Sequence, residues 1–427
     1  MRMRPDALRH PGLGLRMARR QLRVAYSFPF RLGAPGIGAA ALSQIQALAK
    51  RDCSVEVFCW SSPQPIPGVR IFQTRSVMPI PQRFLGVALA CRIHDRVVAS
   101  ILKRRRGFDL VHTWPLGAEL TLHLARARGW LGVREAPNTH TAHAFEVVAR
   151  EHAALGVAQP KNNSHTYNRC LLERELREYD AARLILAPSE LAIETFVQRG
   201  VARDKVMLKS YGFDPRRYES HARAHVNTAL TFAFIARCEP RKGLHLALEA
   251  WHRAGVADRS RFLVTGRFVP GYREKIAALL QHPHVEVQDF VTDLRPVYEA
   301  ADILVLPSIE DGSALVTYEA QASGCALLVS AGAGARFRHG AEGFLHQPGD
   351  VRTLSDQMRL LADDRTLLLR MQTAAALNAR QYTWERATDR LLEAYTVALE
   401  REPPDDPVSP AYAGRGRATP GLAGASG

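Results

Sequence analysis

The chain has 427 residues, 46% of them hydrophobic. That is enough for two ordinary domains with large cores, and it excludes global disorder. The formal charge of +15 comes mostly from arginine, since only seven of the 57 basic residues are lysine, and it predicts attraction to anionic partners.

In chain order, residues 1–21 read as a flexible basic arm. Leu22 to Tyr26 reads as a strand, followed by the loop Gly33-Ala-Pro-Gly-Ile-Gly38, a helix over 39–50 and a strand over 54–60. Strand, glycine loop, helix, strand is the opening of a doubly wound α/β domain. A long helix is predicted near 84–105. Strands follow near 109–113, 131–136 and 183–188, with a charged helix over 170–180 between the last two. Ser189 is a fitting N-cap for a helix that Gly200 ends. Residues 211–229 are turn-rich and polar and read as the linker. The alternation then repeats. Strands are expected near 230–236, 261–265, 284–288, 303–306 and 326–330, and helices near 242–254, 271–281, 293–301, 314–323 and 351–362. Two further helices are expected over 365–381 and 384–400. The domains predicted are therefore 22–215 and 216–382, a closing helix over 383–402 and a disordered tail over 403–427.

Six cysteines show no C-x-x-C spacing, which argues against a disulfide scaffold or a structural zinc site. No run of about 18 apolar residues exists, so no membrane span is expected. Arginines 16, 19, 20 and 23 interrupt any apolar core near the start, so a secretory signal is not expected and a cytoplasmic location is. The basic runs Arg2 to Arg23 and Lys103-Arg-Arg-Arg106 fit a patch facing the inner face of an anionic membrane. The aromatic platform that RNA binding would need is not visible, so no nucleic-acid partner is expected.

Four places could carry chemistry. Arg237 and Lys242 follow the apolar run Leu230 to Ala236, and Gly243 comes next. Two cations at the end of one strand can neutralise a diphosphate, bidentately through arginine and as a point charge through lysine. Asp311 and Glu319 follow the strand that Pro307-Ser308 ends; their carboxylates can hold sugar and ribose hydroxyls. In parallel α/β sheets ligands bind outside the carboxyl ends of the strands, so the two pairs should share a crevice. Gly33 to Gly38 could cradle phosphate on its backbone amides, although its spacing is not the dinucleotide fingerprint. His140, in Pro137-Asn-Thr-His-Thr-Ala-His143, stands at a strand's end, where it could bond a sugar hydroxyl or shuttle a proton. His143 is expected to begin the next helix.

Together these residues resemble the family 4 glycosyltransferases of the GT-B fold, two Rossmann-like domains facing a central cleft. Ile235-Ala-Arg-Cys-Glu-Pro-Arg-Lys-Gly243 is similar to that family's diphosphate loop, and Pro307 to Gly324 to its segment of two acids seven residues apart. Lys205 to Asp214 resembles its interdomain stretch, and Arg183 to Glu190 the strand and helix before it. The resemblance implies retaining transfer of a sugar from a nucleotide-sugar donor to a polysaccharide, glycolipid or lipid-linked acceptor on the first domain. It implies no cofactor and no metal, because the cations replace one. By residue, Arg237 and Lys242 would bind the diphosphate, Glu319 the ribose and Asp311 the donor sugar. The amides of Gly312, Ser313, Ala314, Leu315 and Val316 would lie nearby, those of Gly36 to Gly38 would complete the phosphate site, and His140 would contact the sugar or the reacting centre. Two positions depart from the family pattern: Asp311 is one methylene shorter than the usual Glu, and Gly312-Ser-Ala314 replaces Gly-Phe-Gly. Rival readings are a nucleotide-sugar epimerase of the same fold and an inactive basic scaffold that binds membrane or nucleic acid.

Overall fold

The computed structural model describes residues 21–77, 85–161, 163–218 and 229–401; the basic arm and the tail expected beyond residue 402 lie outside them. The first half begins with β1 (Leu22–Arg31), α1 (Ile37–Ala49), β2 (Cys53–Ser61), β3 (Arg70–Gln73), α2 (Val87–Lys103) and β4 (Leu110–Thr113). It continues with α3 (Glu119–Ala127), β5 (Leu131–Glu135), α4 (Thr141–Leu155), α5 (Arg169–Ala181), β6 (Leu184–Ala187), α6 (Glu190–Gln198) and β7 (Val206–Leu208). These strands form one parallel sheet in the order β3-β2-β1-β4-β5-β6-β7.

After the short α7 (Pro215–Tyr218), the second half runs through β8 (Leu230–Ile235), α8 (Leu244–Arg253), β9 (Ser260–Thr265), α9 (Tyr272–Lys275), α10 (Ala277–Leu280), β10 (Val285–Gln288) and α11 (Arg295–Ala300). β11 (Ile303–Leu306), α12 (Leu315–Ala322), β12 (Ala326–Ser330), β13 (Gly343–His346), α13 (Val351–Asp363), α14 (Arg365–Ala379) and α15 (Trp384–Glu400) complete it. Its sheet is also parallel, ordered β10-β9-β8-β11-β12-β13.

Central strands read as unbroken apolar runs because helices cover both faces. β8 (Leu-Thr-Phe-Ala-Phe-Ile) and β11 (Ile-Leu-Val-Leu) are buried at every position. α8 buries Leu244, Ala247, Leu248 and Trp251, at i, i+3, i+4 and i+7. Each fully buried large side chain of this kind contributes about 1.5–3 kcal/mol. Five of the six cysteines are buried free thiols and Cys170 is exposed.

Three differences from the sequence reading have local causes. Helix α3 was not anticipated: Glu119-Leu-Thr-Leu-His-Leu alternates as a strand would, and its helical state rests on the Asp95 carboxylate accepting from the Leu120 and Thr121 amides. The edge strands β3, β7 and β13 are only three or four residues long, too short to show a period. Helix α4 begins at Thr141 rather than His143, because the His140 Nδ1 accepts from the Ala142 amide and caps it.

Both strand orders reverse direction once, between β1 and β4 and between β8 and β11. The loops after these four strands therefore open at the two switch points, where ligands of such sheets bind. Helix α15 lies against the first half: Arg51 donates to Asp389 at 2.8 Å, and Tyr395 hydrogen-bonds His112 Nδ1 at 2.7 Å.

Candidate functional site

The turn after β8 is rigidly built. Pro240 opens a single 3-10 turn over Pro240–Lys242, and Gly243 closes it with φ 74°. A Cβ at Gly243 would collide with the Pro307 carbonyl, so only glycine fits there. The Ile309 amide donates to the Arg241 carbonyl at 2.7 Å. The loops after β8 and β11 are thus one unit, and they bring Arg237, Arg241 and Lys242 to the acids Glu310 and Asp311.

Charges in this unit are paired. Lys242 Nζ binds Asp311 Oδ2. Arg241 Nε donates to Glu239 Oε1 at 2.7 Å, and its Nη1 to the Glu310 carbonyl at 3.0 Å. Arg237 stays half exposed and approaches Glu239 at 3.8 Å. Burial pushes the Glu239 carboxyl up, but Arg241, Lys242 and Arg237 outweigh it and hold the group below its ordinary range. Lys242 is pushed down by burial and by Arg241, against the pull of Asp311. A dianionic ligand entering here would find three cations held by three carboxylates. Among the described residues no group of three or more His, Cys, Asp or Glu is placed to hold a metal ion.

The first half supplies the opposite wall. The Thr139 hydroxyl donates to Glu310 Oε1 at 2.6 Å, and Asn163 Nδ2 to Glu239 Oε2 at 3.1 Å. His245 Nε2 and Glu151 Oε1 are 3.1 Å apart. The Ser189 hydroxyl, besides capping α6, donates to the Gly312 carbonyl at 2.6 Å. A Cβ on Gly312 would strike the Pro137 carbonyl, so the two halves touch backbone to backbone at that glycine.

Of the expected site residues, Arg237, Lys242, Asp311 and Gly312 stand together. The Ser313 hydroxyl pairs with Tyr318 OH at 2.7 Å, which fixes the turn into α12. Ala314 has φ −68° and its amide donates to the Ala333 carbonyl, so this backbone position does not require glycine. Leu315 and Val316 open α12, where the first amides of a helix lack intrahelical acceptors. Glu319, one turn on, accepts from Tyr298 OH at 2.9 Å, and burial raises its carboxyl to about 7 despite that bond.

His140 and the glycine loop stand differently. The His140 ring is 1% exposed, packed against Tyr179 and Phe196 with centroids at 5.1 and 5.3 Å. Its Nε2 has no hydrogen-bond partner among the described residues, and burial holds its basicity down to about 3. No hydrogen bond among the described residues joins this ring to the cation turn; its neighbour Thr139 makes that link. The Gly36 carbonyl accepts from the Ala39 and Ala40 amides, and the Gly33 amide donates to the Gly38 carbonyl at 2.9 Å. The loop thus faces the first half's switch point with the N-terminus of α1.

Sequence reasoning missed Arg241, Glu239, Glu310, Asn163 and His165. Arg241 and Glu239 lie within the motif but look like solvated charges. Glu310, Asn163 and His165 acquire meaning only when the halves meet. Leu116 was also missed: its φ is +69°, a conformation costing about 1–3 kcal/mol for a non-glycine residue. It is held by Glu178, whose carboxylate accepts from the Leu116 and Ala118 amides at 3.0 and 3.1 Å.

Beneath the first half's switch point lies a fully buried polar cluster. Lys209 Nζ contacts Glu135 Oε1 at 3.0 Å, His112 Nε2 lies 3.4 Å from Glu135 Oε2, and Gln44 donates to the same carboxylate at 3.3 Å. Burial pushes Glu135 up, but Lys209 and His112 outweigh it and hold it at about 2.

Comparison with known proteins matches both halves. Residues 35–217 fit the model of Glycosyltransferase Family 4, and residues 229–364 that of Glycosyl transferases group 1. A D-inositol 3-phosphate glycosyltransferase of Nocardia farcinica is 27% identical, over 91% of this chain and 92% of its own. One from Geodermatophilus obscurus is 28% identical over 86% of each. Among solved structures, the Anabaena Alr3699/HepE complex with UDP-glucose superposes with a TM-score of 0.61 at 18% identity, covering 88% of this chain and all of that one. WaaG, a glycosyltransferase involved in lipopolysaccharide biosynthesis, superposes at 0.64 and 16% identity, covering 87% and 99%. Two glycosyltransferase family models account for the two halves of the sequence, full-length relatives are glycosyltransferases and the same fold recurs in the solved structures, so this chain belongs to the family 4 glycosyltransferases, transferase enzymes of the GT-B fold.

Proposed function

We propose that the chain is a retaining, metal-independent glycosyltransferase that carries a sugar from a nucleotide diphosphate to a glycolipid, lipid-linked or polysaccharide acceptor. The observation that carries the donor half is the meeting of Arg241 and Lys242 with Asp311 at the second sheet's switch point, with Arg237 alongside at Glu239. As the glycosidic bond breaks, negative charge grows on the diphosphate. Cations fixed before the reaction lower that barrier without reorganising. Lys242 exchanges Asp311 for the phosphate, which frees the Asp311 carboxylate to accept from a sugar hydroxyl. No protein nucleophile is required: the leaving phosphate takes the acceptor's proton on the face it departs from, which retains configuration.

Glu319 gives this reading a pH signature. A carboxylate binds a ribose diol as an acceptor, so binding needs the ionised form, whereas the free site favours the protonated one up to about pH 7. Nucleotide affinity should therefore rise with pH, by about tenfold per unit below that value, and level off above it. Calorimetry with UDP, GDP and ADP across that range checks this, with Glu319→Gln as the control whose profile is flat. A wild-type profile as flat as the mutant's would remove Glu319 from the ribose site. Loss of all nucleotide binding in Arg237→Ala would support the diphosphate assignment.

The acceptor half rests on the exposed face of α2. Arg92, Arg96, Lys103 and Arg104 are exposed along it, and its single acid, Asp95, is buried against Thr121 and Arg174. Val87 and Leu89 are exposed in its first turn, and Val77 and Leu120 on other segments are exposed as well. Cations with exposed apolar neighbours suit an anionic bilayer surface. Sedimentation with phosphatidylglycerol vesicles should fall at least tenfold in the quadruple variant Arg92→Glu, Arg96→Glu, Lys103→Glu, Arg104→Glu; unchanged sedimentation refutes the assignment. A second acceptor reading, a phosphorylated cyclitol, is favoured by the D-inositol 3-phosphate glycosyltransferases that align over nine-tenths of the chain. Turnover with D-inositol 3-phosphate, set against turnover with a membrane lipid acceptor, separates the two.

A further inference from the structure

His165 lies on the loop between α4 and α5, in the first half of the chain, yet it faces the cation turn of the second. The loop is fastened in place. The Thr166 hydroxyl donates to the Pro160 carbonyl at 2.8 Å, the His165 amide to Asn163 Oδ1 at 3.2 Å, and Asn163 Nδ2 to Glu239 at 3.1 Å. Ser164 Oγ lies 3.1 Å from His165 Nδ1 and settles that side of the ring. The other side is unmet: His165 is 6% exposed, and its Nε2 has no hydrogen-bond partner among the described residues. The nearest acid, Glu310 Oε2, is 3.8 Å away, beyond a hydrogen bond.

An unmet buried nitrogen is costly, so it asks for a partner that enters from outside. The surroundings select its chemistry. Burial first, then Arg241, Lys242 and Arg237, keep this imidazole neutral, well below its ordinary range. The Ser164 hydroxyl can donate to Nδ1 or accept from it; in the tautomer in which it donates, the ring's one proton sits on Nε2, a neutral donor beside three cations. Arg237, Arg241 and Lys242 rest on Glu239, Glu310 and Asp311, so an anionic oxygen entering there would meet an N–H and cations that can turn to it from those acids.

We infer that His165 Nε2 donates to an oxygen of the terminal phosphate of the bound nucleoside diphosphate, as the ligand that the first half contributes to the second half's site. The inference rests on the donor reading above and adds a residue to it. The diphosphate is then held from both walls, and its affinity depends on the two halves being closed on each other through Asn163–Glu239 and Thr139–Glu310.

The test is calorimetry on the full chain with the nucleoside diphosphate that the wild type binds and with the matching monophosphate. His165→Asn is polar but too short to reach from the Nε2 position; His165→Gln places an N–H at nearly the same reach. The expected result is a roughly 10–100-fold loss of diphosphate affinity in His165→Asn, substantial recovery in His165→Gln and little change for the monophosphate. The thermal midpoints of both variants, measured in parallel, should stay near that of the wild type. Equal diphosphate affinity in His165→Asn overturns the inference while the donor reading stands. So does an equal loss for both nucleotides, or a loss that His165→Gln does not recover, since either marks a structural role. A folded wild type that binds no nucleotide overturns the donor reading, and this inference with it.

Discussion

Lys242→Ala should lower kcat/KM by about 10²–10³-fold, with most of the loss in kcat. The reason lies in timing. In the resting site Lys242 is engaged by Asp311, so its contact with the diphosphate is strongest when that group carries its full leaving charge. An interaction realised only in the transition state appears in kcat. Steady-state kinetics with the donor identified by calorimetry checks the magnitude. The variant also leaves the Asp311 carboxylate without its main cation, so the thermal midpoint must be read beside the rate. Lys242→Arg keeps the charge and should retain part of the activity. Activity of Lys242→Ala within threefold of wild type would place the diphosphate elsewhere.

Lys209→Met should destabilise the first half by about 3–5 kcal/mol, because it strands the Glu135 carboxylate in a dry interior. Glu135 and Lys209 are each 1% exposed, and no solvent can take over. The double variant Glu135→Leu, Lys209→Met should cost much less than Lys209→Met alone, since no orphaned charge remains. Urea unfolding followed by far-UV circular dichroism measures both. A cost under about 1 kcal/mol for Lys209→Met would mean that water reaches the carboxylate. The pH dependence has a definite sign. The Glu135 carboxyl is held at about 2 in the folded chain. Its stabilisation is therefore full above the ordinary carboxyl range and is lost as pH falls through about 2.

How much of this was written in the chain differs by element. Strands buried on both faces, such as Leu230 to Ile235 and Ile303 to Leu306, announce themselves because apolar residues fill all but one of their positions. Arg237 and Lys242 were legible because a strand's end and Gly243 frame them. Asp311 and Glu319 were legible by their spacing after Pro307. Helix α3 was hidden by an accidental alternation that a distant Asp95 overrides. Arg241, Glu239 and Glu310 carry no local signature; Glu239 and Glu310 take partners from across the cleft, and Asn163 lies 76 positions before Glu239 while His165 lies about twice as far before Glu310. His140 was read from its place at a strand's end, but capping and aromatic packing fix its ring in a way that no spacing reveals. Ala314 stands where the family pattern has glycine, and its φ of −68° is a backbone conformation that any residue adopts.

The hydrogen bond between His112 and Tyr395 has a consequence for how the protein is made. The first sheet's last strand ends at Leu208, yet one partner of its buried polar cluster arrives only with Tyr395, in the last helix. At about 5–20 residues per second, a ribosome delivers that tyrosine roughly 10–40 s after the sheet is complete. Through that interval the nascent first half carries a charged centre without its last hydroxyl and a helix α1 without its cover. The whole second half must emerge, and must fold compactly enough to return α15 to its place, before the first half is finished. The earlier half of the gene product is thus the later one to mature.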